Sequence, residues 1–140
     1  MPKESIQNPM PLGKLLLQVS KMYNSDANQL LNARGHDGLS LAHTALVFNL
    51  ETGGTKCTTV TKRAGIKRQS MAELARDLED REYIKQVVDP NDKRAQLFLF
   101  TKLGLKFQKD AQDVIKILEK KYEKMLGSDV VSKIRETTTS

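Results

Sequence analysis

Tryptophan is absent from the 140-residue chain, cysteine occurs once and histidine twice. A single cysteine excludes an intramolecular disulfide and fits a reducing compartment. Two histidines and one cysteine fall short of the clustered ligands that a metal site needs, so no metal is expected. No apolar run approaches the ~20 residues of a membrane span. The opening stretch, residues 1–19, lacks the charged-then-apolar order of a signal peptide. A cytoplasmic protein with no membrane partner is therefore expected. There is also no glycine-rich phosphate loop, no nucleophile elbow and no metal-ligand spacing. Without a catalytic constellation, neither enzymatic activity nor a cofactor is expected.

What the chain has is charge, unevenly placed. Its formal net charge is +6. Between Lys56 and Lys106 there are 12 basic and 7 acidic residues, so this middle stretch holds a surplus of five. Lys56 to Ser70 alone carries five bases and no acid. Such a local field suits a polyanionic partner, although a solvated surface has the same composition. The periodicity around it decides between the two.

Residues 1–11 read as a polar arm with prolines at 2, 9 and 11. Leu12, Leu15, Leu16, Val19, Met22, Tyr23, Ala27, Leu30 and Leu31 then recur at helical spacing. Arg34 to Gly38 breaks that helix, and a second is predicted over 39–50 with Ser40 as N-cap. A turn at 52–55 precedes a short helix over 58–64, with Thr58 the candidate cap. Gly65 suits the left-handed position that ends a helix. The next helix spans about 68–81. It has an inward stripe of Met71, Leu74, Ala75 and Leu78, and an outward face of Gln69, Ser70, Glu73, Arg76, Asp77 and Asp80.

Two β-rich runs follow, 83–88 and 95–100, joined by Asp89-Pro90-Asn91-Asp92-Lys93-Arg94, a turn-forming segment with basic residues. Thr101 caps a long helix to about Leu126, Gly127 ends it, and a last short helix is expected over 128–134 before a frayed tail. The expected fold is thus mainly α with a small β-hairpin wing (α+β). A winged helix-turn-helix lobe spans 39–100, with its recognition helix at about 68–81 and its wing at about 84–100. Terminal helices at 12–34 and 101–140 flank a module too small to cover their apolar stripes, which predicts dimerisation through Leu12, Leu16, Val19, Val114, Leu118 and Tyr122.

The residue types suit double-stranded DNA. A helix fits the major groove with its N-terminal side chains at base edges, and here that end offers Lys67, Arg68, Gln69 and Ser70. Glutamine can bond an adenine edge and arginine a guanine edge in bidentate fashion. Lys62 and Arg63 on the preceding helix can meet the backbone. Arg94, near the hairpin tip, can enter a minor groove whose A·T stretches concentrate negative potential.

Four stretches of the chain resemble the MarR family of bacterial and archaeal transcription regulators: 64–74, 78–84, 89–95 and Phe100-Thr101-Lys102-Leu103-Gly104. The order of the flanking helices matches as well. The resemblance implies a homodimer with intertwined terminal helices on a palindromic operator, most often a repressor, released by a small aromatic or amphipathic effector. It matches Arg68, Gln69 and Ser70 to the base-reading helix start, Arg76 to a base- or phosphate-contacting position, and Asp92 and Arg94 to the wing's acid and its minor-groove arginine. Lys93 stands where the family often has a second arginine. Glu82 departs from the pattern: glycine is usual there, so either the turn is reshaped or Glu82 bears a left-handed backbone. An effector pocket is expected around Met22, Tyr23, Leu39 and His43.

Two alternatives remain open on the residues. One is a winged helix used only as a protein-interaction module. The other is a redox-responsive regulator acting through Cys57, beside the bases Lys56 and Lys62; a buried, inert thiol is the competing reading of that cysteine.

Overall fold

A computed structural model describes residues 9–139; the first eight residues of the N-terminal arm and Ser140 lie outside the described part. Helix α1 (Leu12–Ala33) leads through a turn to α2 (Leu41–Val47), a short β1 (Thr55–Lys56), α3 (Cys57–Ala64), α4 (Arg68–Asp80), the hairpin β2 (Ile84–Asp89) and β3 (Asp92–Phe100), the long α5 (Lys102–Leu126) and α6 (Ser128–Thr139). The fold is the expected mainly helical, winged helix-turn-helix one. Its strands form one antiparallel sheet in the order β1-β3-β2, with Thr55 opposite Phe98 and Ile84 opposite Phe100.

One apolar core joins every layer. Ala27 and Leu31 of α1, Leu46 and Val47 of α2, Val60 of α3, Met71, Ala75 and Leu78 of α4, Phe98 of β3 and Phe107, Ala111, Val114 and Leu118 of α5 are all buried in it. Complete burial of side chains such as Phe107 and Leu118 contributes roughly 1.5–3 kcal/mol each. A polar link also ties α1 to α5: Asp26 accepts from Tyr122 Oη (2.7 Å) and Lys121 Nζ (2.8 Å). Burial, then the Asp26 carboxylate, pushes the Tyr122 phenol up to about 12.

Several local expectations need correction. Val114, Leu118 and Tyr122, read as dimer-facing, are buried inside their own chain against α1. Periodicity finds an apolar face but does not say which neighbour covers it. Leu12 (70% exposed), Leu16 (54%) and Val19 (37%) do lie outward. Helix α2 ends at Val47, three residues early, although Leu50 is still buried. Thr58 does not cap α3: the helix starts one residue sooner, after Lys56, with no side-chain cap. The hairpin turn is only Pro90-Asn91, held by Asp89 Oδ1 accepting from Asn91 N (2.8 Å). Asp92, Lys93 and Arg94 therefore begin β3 instead of forming the turn. Helix α6 runs to Thr139 and packs along α5 with an Arg135–Glu119 ion pair, so the described tail is helical.

Thr101 caps α5 as expected, its Oγ1 accepting from Gly104 N at 3.0 Å. Glu82 is the one described non-glycine residue with positive φ, at 68°. The turn keeps its left-handed shape and Glu82 bears it, at about 1–2 kcal/mol.

Candidate nucleic-acid interface

The helix-turn-helix is built locally. Gly65, at φ 67°, ends α3 in the left-handed region, and its N–H donates to the Thr61 and Lys62 carbonyls. Lys67 is extended, and α4 starts at Arg68 with no side chain capping it and no acid in its first turn. The first N–H groups of a helix have no partner within it, and with the helix dipole they favour an anion. Lys67, Arg68, Gln69 and Ser70 are all exposed at this tip. Met71, Ala75 and Leu78 anchor the opposite side of α4 in the core.

The wing rises beside α4 and a cleft of about 690 Å³ separates them. Arg68, Arg76 and Glu79 line one wall, Gln86, Arg94 and Gln96 the other. Arg94 is 95% exposed at its side chain and is steadied from below by Asp92, whose Oδ1 accepts from Arg94 N (3.1 Å) and lies 3.7 Å from Nε. Lys93 is exposed on the same strand. On α3, Lys62 borders the cleft, while Arg63 is exposed and pairs with Glu51 at 3.5 Å. The structure therefore brings Lys62, Arg68, Arg76 and Arg94 around one concavity; Lys67, Gln69 and Ser70 are exposed at the same helix tip, and Ser70 borders a second groove between α2 and α4. Such an arrangement can seat a phosphate backbone with side chains free to reach base edges.

Cys57 also borders this cleft, half-buried. Burial pushes its thiol up, away from the thiolate that reacts with oxidants.

The four residues expected around an effector have different settings. Leu39 is buried in the core, Met22 is 49% exposed on α1, and Tyr23 packs on Tyr122 with ring centroids 5.0 Å apart. His43 is buried for a structural reason: Nδ1 accepts from Ser40 N (3.1 Å), completing the cap of α2, and Nε2 meets Asp77 of α4 at 2.7 Å. It borders a groove of about 430 Å³ between α2 and α4, with Ala42, Ala45, Ile66 and Leu74.

Two polar nodes escaped the sequence reading. His36, 1% exposed, bonds Tyr83 Oη through Nδ1 (2.8 Å) and Asp110 through Nε2 (2.7 Å), joining the α1–α2 turn, the start of the wing and α5. These partners are 47 and 74 residues away, so no local pattern announces them. The second node, Glu79 with Gln86, joins α4 to β2.

The Arg81 hydrogen bond, aided by His43, holds the Asp77 carboxyl below the usual carboxylate range. Burial alone raises Asp110, but hydrogen bonds from Lys106 and His36 outweigh it and the carboxyl titrates low. Both carboxylates thus bind protons less readily folded than unfolded. Their stabilisation is complete above the unfolded value of ~3.9 and is lost as pH falls through the lower folded values. We expect urea midpoints to drop steeply below about pH 4. The Asp77→Asn/Asp110→Asn double variant is less stable at pH 7 and shows a flatter acid limb; an unchanged limb contradicts the assignment.

Comparison with known proteins places this geometry. Residues 37–95 match the model of the MarR family. No curated protein matches the chain by sequence. Among solved structures, a MarR-family transcriptional regulator from Rhodococcus sp. RHA1 is similar at 22% identity and TM-score 0.71, over 94% of this chain and 95% of that one. A mutant MarR from E. coli complexed with operator DNA superposes at TM-score 0.76 with 17% identity, over 93% and 92% of the two chains. CouR from Rhodococcus jostii RHA1, bound to p-coumaroyl-CoA, is similar at 24% identity and TM-score 0.71, over 92% and 90%. Residues 37–95, which hold the helix-turn-helix and most of the wing, thus match the MarR family of transcription regulators, and over nearly its whole length the chain shares the winged-helix fold of these solved structures.

Proposed function

We propose that the chain acts as a homodimer on a palindromic DNA operator in the cytoplasm, as a repressor that a small aromatic or amphipathic effector releases. One observation carries the reading. Arg68, in an uncapped, acid-free helix tip (Lys67 to Ser70), and an outstretched Arg94 both line one basic cleft. The tip suits the major groove and Arg94 the adjacent minor groove. Lys62, Arg63 and Lys93 meet phosphates, Arg76 a base or phosphate, and Asp92 holds Arg94 in place. A dimer sets two such units about one DNA turn (~34 Å) apart and covers polymerase sites by occupancy.

Dimerisation is supported by apolar side chains that the chain leaves exposed on its terminal helices: Leu12, Leu16, Met22, Ile117, Met125 and Ile134. Large apolar side chains left exposed in number mark interfaces. The binding of p-coumaroyl-CoA by one structural relative supports the effector class. Such a ligand acts by favouring a spacing of the two recognition helices that misfits the operator.

The test is fluorescence anisotropy on duplexes selected from a random pool. Gln69→Ala relaxes preference at one base pair by ~1–3 kcal/mol, and Arg94→Ala weakens binding to A·T-flanked sites more than to G·C-flanked ones. Uniform losses across all sequences for both variants contradict the reading.

A further inference from the structure

We propose that Glu79 is a positioning residue that sets the angle between recognition helix and wing, and so decides how strongly the flanks of a DNA site are read. The proposal rests on the DNA-binding reading above.

Glu79 sits in the last turn of α4 beside Asp80, with no basic residue in that turn. Two acids there face the negative end of the helix dipole, so helix formation alone disfavours them. The Glu79 carboxylate reaches across to the wing instead. Its Oε2 accepts from Gln86 N at 2.9 Å and its Oε1 from Gln86 Nε2 at 3.2 Å. A two-point, charge-assisted link fixes orientation as well as distance. It spans the cleft that Arg76 and Arg94 also line.

Other ties hold the wing at its root, level with Gln86 and, through Lys56 Nζ 3.9 Å from Asp89 Oδ2, farther out. Thr55 and Lys56 pair with Phe98 and Leu97, and Thr101 Oγ1 donates to the Glu82 and Tyr83 carbonyls. Beyond Gln86, Val87 and Val88 are exposed while Asp89 is buried beside Lys56, and past that pair the tip projects. From the root pair Ile84–Phe100, Arg94 lies six residues along β3, about 20 Å at ~3.3 Å per residue. A swing of about 5° there moves Arg94 by roughly 1.7 Å, a sizeable share of a minor groove ~6 Å wide.

The clamp and simple electrostatics predict opposite outcomes. Removing a carboxylate from a basic cleft, if charge were all that mattered, tightens binding to every sequence alike. Loss of the clamp lowers flank discrimination and leaves base preference at the helix tip intact.

The experiment measures affinity for one operator core with A·T-rich or G·C-rich flanks. Glu79→Ala cuts the ratio of the two affinities by roughly fivefold, a change of ~1 kcal/mol. Glu79→Gln removes the same charge yet retains an acceptor for Gln86 N, and keeps most of the ratio. In an Arg94→Ala background Glu79→Ala has no further effect on the ratio, because both act through one side chain. Equal behaviour of the Ala and Gln variants, or an unchanged ratio in Glu79→Ala, overturns the proposal. A DNA-free measurement separates it from the function itself: backbone ¹⁵N relaxation shows residues 86–96 more mobile in Glu79→Ala than in the unsubstituted chain. If the unsubstituted chain binds no duplex, the DNA reading fails and relaxation decides the clamp. Unchanged wing order parameters overturn it.

Discussion

Gly104→Ala lowers the melting temperature of this protein by about 10 °C, corresponding to about 3 kcal/mol for overpacking a tight contact in a chain of this size. Gly104 lies in the first turn of α5, buried beneath the carbonyl of Tyr83. A methyl group there collides with the Tyr83 carbonyl oxygen, a backbone atom that cannot rotate aside. That oxygen is also the acceptor for Thr101 N (3.3 Å) and Thr101 Oγ1 (3.0 Å). To admit the methyl, α5 must lift from the start of the wing and break the contacts that join them. Gly13→Ala is the control. It makes the same chemical change in α1, where a Cβ meets nothing within 4 Å. There alanine favours the helix by roughly 0.5–1 kcal/mol. Circular-dichroism melts at one fixed protein concentration compare the two, since dimerisation makes melting concentration-dependent. A fall of less than about 2 °C for Gly104→Ala contradicts the packing assigned to this junction.

The second large effect concerns assembly. The Leu12→Asp/Leu16→Asp double variant is expected to sediment as a monomer and to bind a palindromic site at least about 100-fold more weakly, because the second half-site contact is no longer intramolecular. Both leucines are exposed within the subunit, so their replacement removes no contact of the chain's own core. In a two-fold dimer each substitution occurs twice, placing four carboxylates in one apolar contact. Sedimentation velocity, with far-ultraviolet circular dichroism to confirm helix content, reads the result. A dimer that persists with unaltered operator affinity shows that another surface joins the subunits.

Much of this architecture is legible in the sequence. Helix α4 announces itself through Met71, Ala75 and Leu78 at helical spacing after Gly65, and the wing through two β-rich runs around Asp-Pro-Asn-Asp. These signals are local, and local physics fixes them. What was hidden depends on distant partners. Strand β1 is two residues long and exists only because β3 pairs with it. Val114, Leu118 and Tyr122 have the apolar character of an interface, but the chain itself covers them. Lys93 and Arg94 read as part of a six-residue turn because Asp92 is a turn former; pairing of Asp92 with Asp89 draws them into β3 instead. His36 and His43 give no local sign of the bonds they make until the fold supplies Tyr83, Asp110 and Asp77. The base-reading candidates at the tip of α4 are legible because exposure at a helix N-terminus follows from where the helix begins.

The central claim is that one helix tip and one wing are presented twice, by a symmetric pair of chains, to a single duplex. Binding selection from a random DNA pool, followed by stoichiometry and salt titration on the winning sequence, tests it most directly. The account predicts an inverted repeat with half-sites about one helical turn apart, two chains per duplex, and log affinity falling linearly with log salt at about −0.9 per phosphate contacted. A pool that yields no enriched sequence, or a selected site that binds a single chain, contradicts it.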